Sequence, residues 1–107
     1  MKSLAWIQNF SANAVVPVGV DVIRGTGGAG GITLTLTPAS YVVQASGAVT
    51  ITVYQSYQAM KVDAGVGPVT FVDPNGALFN GQSSWDLVDQ YQWATFAWNG
   101  TGWEVFD

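Results

Sequence analysis

A chain of 107 residues with 49% apolar side chains suits one domain around a single hydrophobic core, and no apolar run approaches the ~20 residues of a membrane-spanning helix. Only 9% of residues are charged, the net charge is −4, and the basic residues are Lys2, Arg24 and Lys61, which excludes nucleic-acid binding through phosphates and attraction to an anionic membrane surface. Cysteine and histidine are both absent, which excludes disulfides, thiolate metal sites, cysteine nucleophiles, Ser-His-Asp triads and most zinc or transition-metal sites.

Residues 1–13 show no clear period and read as an N-terminal arm or a short edge strand. Trp6, Ile7 and Phe10 need a partner surface, either the domain's own or a neighbour's. Lys2 followed by Leu4-Ala5-Trp6-Ile7 superficially suggests a signal peptide. Gln8 and Asn9 interrupt the short apolar stretch, and the start is expected to be native. Residues 14–107 form the expected β-sandwich domain.

Val16, Val18, Val20 and Val22 alternate, which predicts a strand with Pro17 near its start or on an edge. Gly25 to Gly31 (GTGGAGG) reads as a flexible loop. A phosphate-cradling loop would open a helix with Lys and Ser or Thr, whereas here the strand Ile32–Thr37 follows. Pro38-Ala39-Ser40 is a turn, 41–44 a strand, Ala45-Ser46-Gly47 a turn, and Ala48–Tyr54 a strand with Val49, Ile51 and Val53 on one face. Tyr57–Val62 and Val69–Val72 are further strands, broken by Gly65-Val66-Gly67-Pro68. Asp73-Pro74-Asn75-Gly76 has turn chemistry, and Ala77–Asn80 is expected to continue that hairpin. Ser83–Asp89 suits either a short strand or one helical turn.

The chain ends in YQWATFAWNGTGWEVF, which holds three of the five tryptophans, Trp93, Trp98 and Trp103. Asn99-Gly100 suits a two-residue type I′ turn joining strands 91–98 and 102–106. Alternation puts Trp103 and Val105 on one face and Glu104 and Phe106 on the other. About eight to ten short strands with turn signals at short intervals predict an all-β, single-domain β-sandwich or jelly-roll with a Trp-rich C-terminal hairpin and an extended N-terminal arm.

The candidate chemistry is thin. A glycosidase needs two facing carboxylates, and Asp86 with Asp89 is the least implausible pair. Asp73 and Asn75 supply too few oxygens for calcium, and the turn explains both. Trp85, Asp89 and Tyr91, with the later tryptophans, could form a sugar-stacking surface. The competing reading is packing in a core or interface, where Trp and Tyr are enriched. Asn99-Gly100-Thr101 fits a glycosylation sequon that the turn also accounts for.

Three features carry a family resemblance: VTFVDPNGALFNG, the aromatic strand YQWATFAW, and the ending NGTGWEVF. The segment Val69–Phe106 resembles the C-terminal part of short virion surface proteins of tailed bacteriophages. These include head-decoration (cement) proteins and β-rich pieces of head and tail fibres. GITLTLTPASYVVQASGAVTITV has a similar Thr/Val-rich texture. The resemblance implies a homotrimer without enzymatic activity or cofactor on the outside of a capsid, with the major capsid protein as partner. A decoration protein would bridge capsomers, and Trp6, Ile7, Phe10, Trp93, Trp98 and Trp103 are the expected capsid or subunit contacts. The alternatives are a fibre or receptor-binding domain touching a host glycan, with Trp85, Asp89 and Tyr91 as contacts, and a carbohydrate-binding module.

Overall fold

The computed structural model describes residues 4–44, 47 and 49–107. Among them are eleven strands and no helix: β1 (Ile7–Phe10), β2 (Ala14–Val15), β3 (Val22–Gly25), β4 (Ile32–Thr35), β5 (Ser40–Gln44), β6 (Thr50–Tyr54), β7 (Ser56–Lys61), β8 (Val69–Val72), β9 (Trp85–Leu87), β10 (Trp93–Trp98) and β11 (Trp103–Phe106). The all-β expectation is met. A five-stranded sheet runs β1-β3-β7-β10-β11, a four-stranded sheet runs β2-β4-β8-β9, and β5-β6 stands as a two-stranded ribbon.

The chain winds between the two larger sheets. β1 then β2, β3 then β4, and β7 then β8 each place one strand in either sheet, so successive laps stack in parallel. The chain then reverses. β9 lies antiparallel to β8, and β10 lies antiparallel to both β7 and β11. A jelly-roll is built from antiparallel strands. Here the lap contacts are parallel, which the strand signals alone do not reveal.

Alternation explains which side chains meet between the sheets. ITLT in β4 and VTFV in β8 each bury every second residue. Ile23, Tyr57, Phe96 and Trp103 come from the larger sheet, and Leu34, Phe71 and Leu87 from the smaller, into one core cluster. Phe71 meets Phe96 across the sheets with ring centroids 4.6 Å apart. Phe79 stacks on Trp103 at 5.9 Å, and Trp98 packs on Trp103 at 5.2 Å. Trp103 and Val105 face inward, and Glu104 and Phe106 outward, as alternation required.

Several expectations are corrected. Of the two readings offered for residues 1–13, Ile7–Phe10 follows the edge strand, pairing with β3 in the larger sheet with Phe10 buried, rather than the extended arm. Val16 to Val22 is not a strand: a turn at Val18-Gly19, with Gly19 at φ 100°, carries Val16 and Val20 into the core and leaves Val18 outside. The corner is fixed by Val16 N–H donating to Thr35 O at 2.8 Å and by the Tyr57 hydroxyl donating to Pro17 O at 3.3 Å. Burial pushes the Tyr57 phenol pKa up.

Ala77–Asn80 does not pair with β8, whose antiparallel partner is β9 within the undecided stretch 83–89. The connection after Trp98 spans Asn99 to Gly102, because Trp98 pairs with Trp103. Asn99 is not at positive φ. Its side-chain oxygen instead accepts from Thr101 N–H at 3.0 Å and Gly102 N–H at 2.8 Å. β10 begins at Trp93 and not at Tyr91. Ala45 and Ser46 of the expected turn, and Ala48 of the following strand, lie outside the described residues.

The glycine run is a packed corner. A Cβ on Gly27 would lie 2.0 Å from Gly67 O, and one on Gly67 would lie 2.1 Å from Gly31 N. The two glycine-punctuated loops therefore approach backbone to backbone, which only glycine allows.

Candidate functional site

Two surfaces carry groups of neighbouring exposed apolar side chains. The first is the outward face of the five-stranded sheet. Register places Ile7, Val22, Gln58, Thr95 and Phe106 in one row across it, with Asn9, Arg24, Met60 and Trp93 in the next. Val22, Gln58, Ala59, Met60 and Trp93 line a shallow depression of about 370 Å³. Trp93 is 50% exposed there. A half-exposed indole beside a side-chain amide and a thioether suits contact with a protein surface or the apolar face of a sugar.

The second surface is the β5-β6 ribbon. Tyr41 pairs with Val53 and Val43 with Ile51, so these four share one face. Ser40, Val42, Gln44, Thr50, Thr52 and Tyr54 share the other. The ribbon is rooted where Gln55 N–H donates to Ala39 O at 2.8 Å and where the Tyr54 ring lies against Gly100.

The expected contact residues divide. Ile7 and Trp93 point outward from the larger sheet. The Trp6 ring is half-exposed over Gly19, and the Trp6 backbone N–H donates to Asp21 Oδ2 at 2.7 Å. Phe10 and Trp103 are core residues in the folded chain and are corrected as contacts. Trp98 is half-buried against Trp103. Trp103 is committed further, because its Nε1 donates to the buried Asp73 Oδ1 at 3.0 Å.

The sugar-contact residues do not form one platform. Trp85 pairs with Phe71 on the inner face of the smaller sheet and packs against the core. Asp89 and Tyr91 are exposed in the β9–β10 connection. Tyr91 holds φ 66°, with its N–H donating to Lys61 O at 2.7 Å. Asp86 lines a depression of about 280 Å³ with Gln82, Ser84, Trp85 and Gln92, and Asp89 is not part of it.

Asp73 is fully used by the protein. Oδ2 accepts from Asn75 N–H at 2.8 Å and Ala77 N–H at 3.1 Å, while Oδ1 holds Trp103. No group of three potential metal-ligating residues gathers among the described residues.

One polar cluster was not foreseen. Lys61 is completely buried, and its Nζ donates to Asp63 Oδ1 at 2.7 Å, Gly65 O at 2.8 Å and Asp63 O at 3.0 Å. Asp63 also accepts from Gly27, Gly28 and Gly65 N–H groups at 2.9, 3.0 and 3.1 Å. The Lys61 hydrogen bond, followed by the Gly27 N–H, holds the Asp63 carboxyl well below the usual carboxylate range. This cluster ties the glycine corner together, and every donor and acceptor in it serves the fold. The available signal was position: Tyr57, Ala59 and Lys61 occupy alternate, inward places on one strand.

No family model matches the chain, and no curated protein compared with it matches either.

Proposed function

We propose that this chain is a structural virion protein, a homotrimeric decoration (cement) protein that binds the outside of a bacteriophage capsid and stabilises the shell. In this reading it acts without catalysis or cofactor, and its partners are its own copies and the major capsid protein. The supporting observation is the placement of exposed apolar groups. Several of them share one sheet face (Ile7, Trp93 and Phe106) or the ribbon, while only 9% of the chain is charged. Apolar patches of this kind mark contact surfaces. Ile7 and Trp93 on the sheet face are the residues best placed to meet a capsid.

A bridging protein works by burying surface across neighbouring capsomers, so that opening the shell breaks more contacts. The test is co-sedimentation with capsids lacking other decoration proteins, together with the solution mass. Stoichiometric binding of a trimer and a higher capsid melting temperature are expected. A protein that leaves capsids unbound and unstabilised at saturating concentration overturns the reading.

A β-rich fibre or receptor-binding domain is the second reading, and the stacked parallel laps favour it. β1 and β2 are edge strands of the two sheets. Edges of this kind accept further β structure. The Trp93 depression would then be the glycan contact. The dispersal of the tryptophans over different faces weakens a free carbohydrate-binding module.

A further inference from the structure

Three Asn-Gly pairs occur in the chain: Asn75-Gly76, Asn80-Gly81 and Asn99-Gly100. All six residues are exposed, so access to water does not separate them. Gly76, Asn80, Gly81 and Asn99 border the same open depression of about 510 Å³. An Asn-Gly pair is the least hindered place for a backbone nitrogen to attack a side-chain amide, because glycine puts no Cβ beside its own nitrogen. The pairs differ in how each asparagine side chain is held.

Asn80 is locked away from its own glycine. Its Oδ1 accepts from Val105 N–H at 2.9 Å, and its Nδ2 donates to Val105 O at 3.0 Å. Turning that amide toward Gly81 would break both bonds. At Asn75 it is the attacking nitrogen that is held back. Gly76 N–H donates to Asp73 O at 3.3 Å. The Asp73 carboxylate accepts from the N–H groups of Asn75 and Ala77 on either side, and its negative charge opposes loss of a proton from Gly76.

Asn99 is arranged for reaction. Its Oδ1 accepts from Gly102 N–H at 2.8 Å, Thr101 N–H at 3.0 Å and the Thr101 hydroxyl at 3.1 Å. The ring closed by the Thr101 N–H bond contains both Asn99 Cγ and the Gly100 nitrogen, so the side chain is folded over the atom that would attack it. The Gly100 N–H has no acceptor among the described residues. The three donors on Oδ1 polarise the amide carbonyl. They also face the oxygen on which negative charge develops when Cγ becomes tetrahedral.

We propose that Asn99 is a self-modification site, at which the Gly100 nitrogen closes on Asn99 Cγ and the side-chain amide is lost as ammonia. A solvent hydroxide takes the Gly100 N–H proton, and the bond from the Gly100 nitrogen to Cγ forms. The Cγ–Nδ2 bond breaks with its electron pair going to nitrogen, which takes a proton from water and leaves as ammonia. Water then opens the cyclic imide at either carbonyl and leaves an aspartyl or isoaspartyl linkage at position 99. The product adds one negative charge to a chain of net −4, at the turn against which the Tyr54 ring lies. The reaction needs no partner chain and does not depend on the capsid reading.

The test incubates the full chain at mildly alkaline pH, folded and in guanidinium chloride, and reads each Asn-Gly pair separately by peptide mapping and mass spectrometry. In denaturant the three pairs should react at similar rates. In the folded chain Asn99 should react faster than in denaturant, by about threefold or more, while Asn75 and Asn80 react more slowly than in denaturant. Thr101→Val removes the hydroxyl donor and keeps the backbone N–H. It should slow Asn99 roughly threefold to tenfold, the worth of one hydrogen bond expressed as a rate, and leave Asn75 unchanged.

An Asn99 that reacts no faster folded than denatured, or more slowly than Asn75 in the folded chain, overturns the proposal. An unchanged Asn99 rate in folded Thr101→Val overturns the part given to the hydroxyl. Should that variant fail to fold, which far-UV circular dichroism detects, the comparison of folded and denatured parent still decides.

Discussion

Trp103 shows how one side chain joins a turn to a core. Its ring lies among Tyr57, Phe79 and Trp98, and its Nε1 reaches the Asp73 carboxylate at 3.0 Å. Trp103→Phe keeps most of the apolar contact and leaves a buried Asp73 oxygen without its donor. The expected cost is about 1–3 kcal/mol, read from urea unfolding. A variant as stable as the parent would show that the hydrogen bond contributes nothing net. Asp63 gives a second residue-scale prediction, in which pH is the variable. Its folded pKa is depressed, chiefly by the Lys61 hydrogen bond. Its contribution is therefore fully present above the unfolded pKa of about 3.9 and is lost as pH falls through the lower folded value. Melting temperature should be insensitive to this group from pH 7 to about 4 and should drop below that. Asp63→Asn should melt lower at pH 7 and show a shallower acid limb; an acid limb equally steep in both proteins contradicts the assignment.

At the scale of elements, the glycine corner makes a sharp contrast. A Cβ on Gly67 would collide with Gly31 N at 2.1 Å, whereas one on Gly30 would meet nothing within 4 Å. Gly67→Ala should destabilise by about 1–3 kcal/mol through overpacking, and Gly30→Ala should be close to neutral. Equal melting temperatures for the two variants would rule out the backbone-to-backbone corner. The glycine run itself was plain in the sequence, but its packing was not, because the loop that faces it lies more than thirty residues away. β4, β8, β10 and β11 were legible because each has one face in the core, and alternation records that directly. Val16–Val22 misled for the same reason: two valines entering the core around a Pro-Gly corner repeat at the spacing of a strand. The candidate site was half legible. Alternation separates Trp93 from Ala94, but which of the two faces inward depends on where the second sheet lies. Lys61 was hidden because a lysine is normally a surface residue, and its carbonyl partners carry no sequence signature.

The whole molecule depends on two sheets sharing one set of side chains. Phe96 is the clearest link: it leaves β10 in the larger sheet, meets Phe71 of the smaller sheet at 4.6 Å, and meets Phe79 edge-on at 5.7 Å. The laps wind through both sheets, so neither can be removed without breaking the path of the other. Unfolding should then be a single transition. Phe96→Ala should cost about 3–5 kcal/mol, through lost burial and the cavity left behind. A domain of this size has a total stability of about 5–15 kcal/mol, so the variant should sit near the limit of folding at room temperature. Denaturant melts followed by tryptophan fluorescence and by far-UV circular dichroism should shift together. Their separation into two transitions would mean that the sheets fold independently, and the shared core would no longer explain how the outward face carrying Ile7 and Trp93 is held in place.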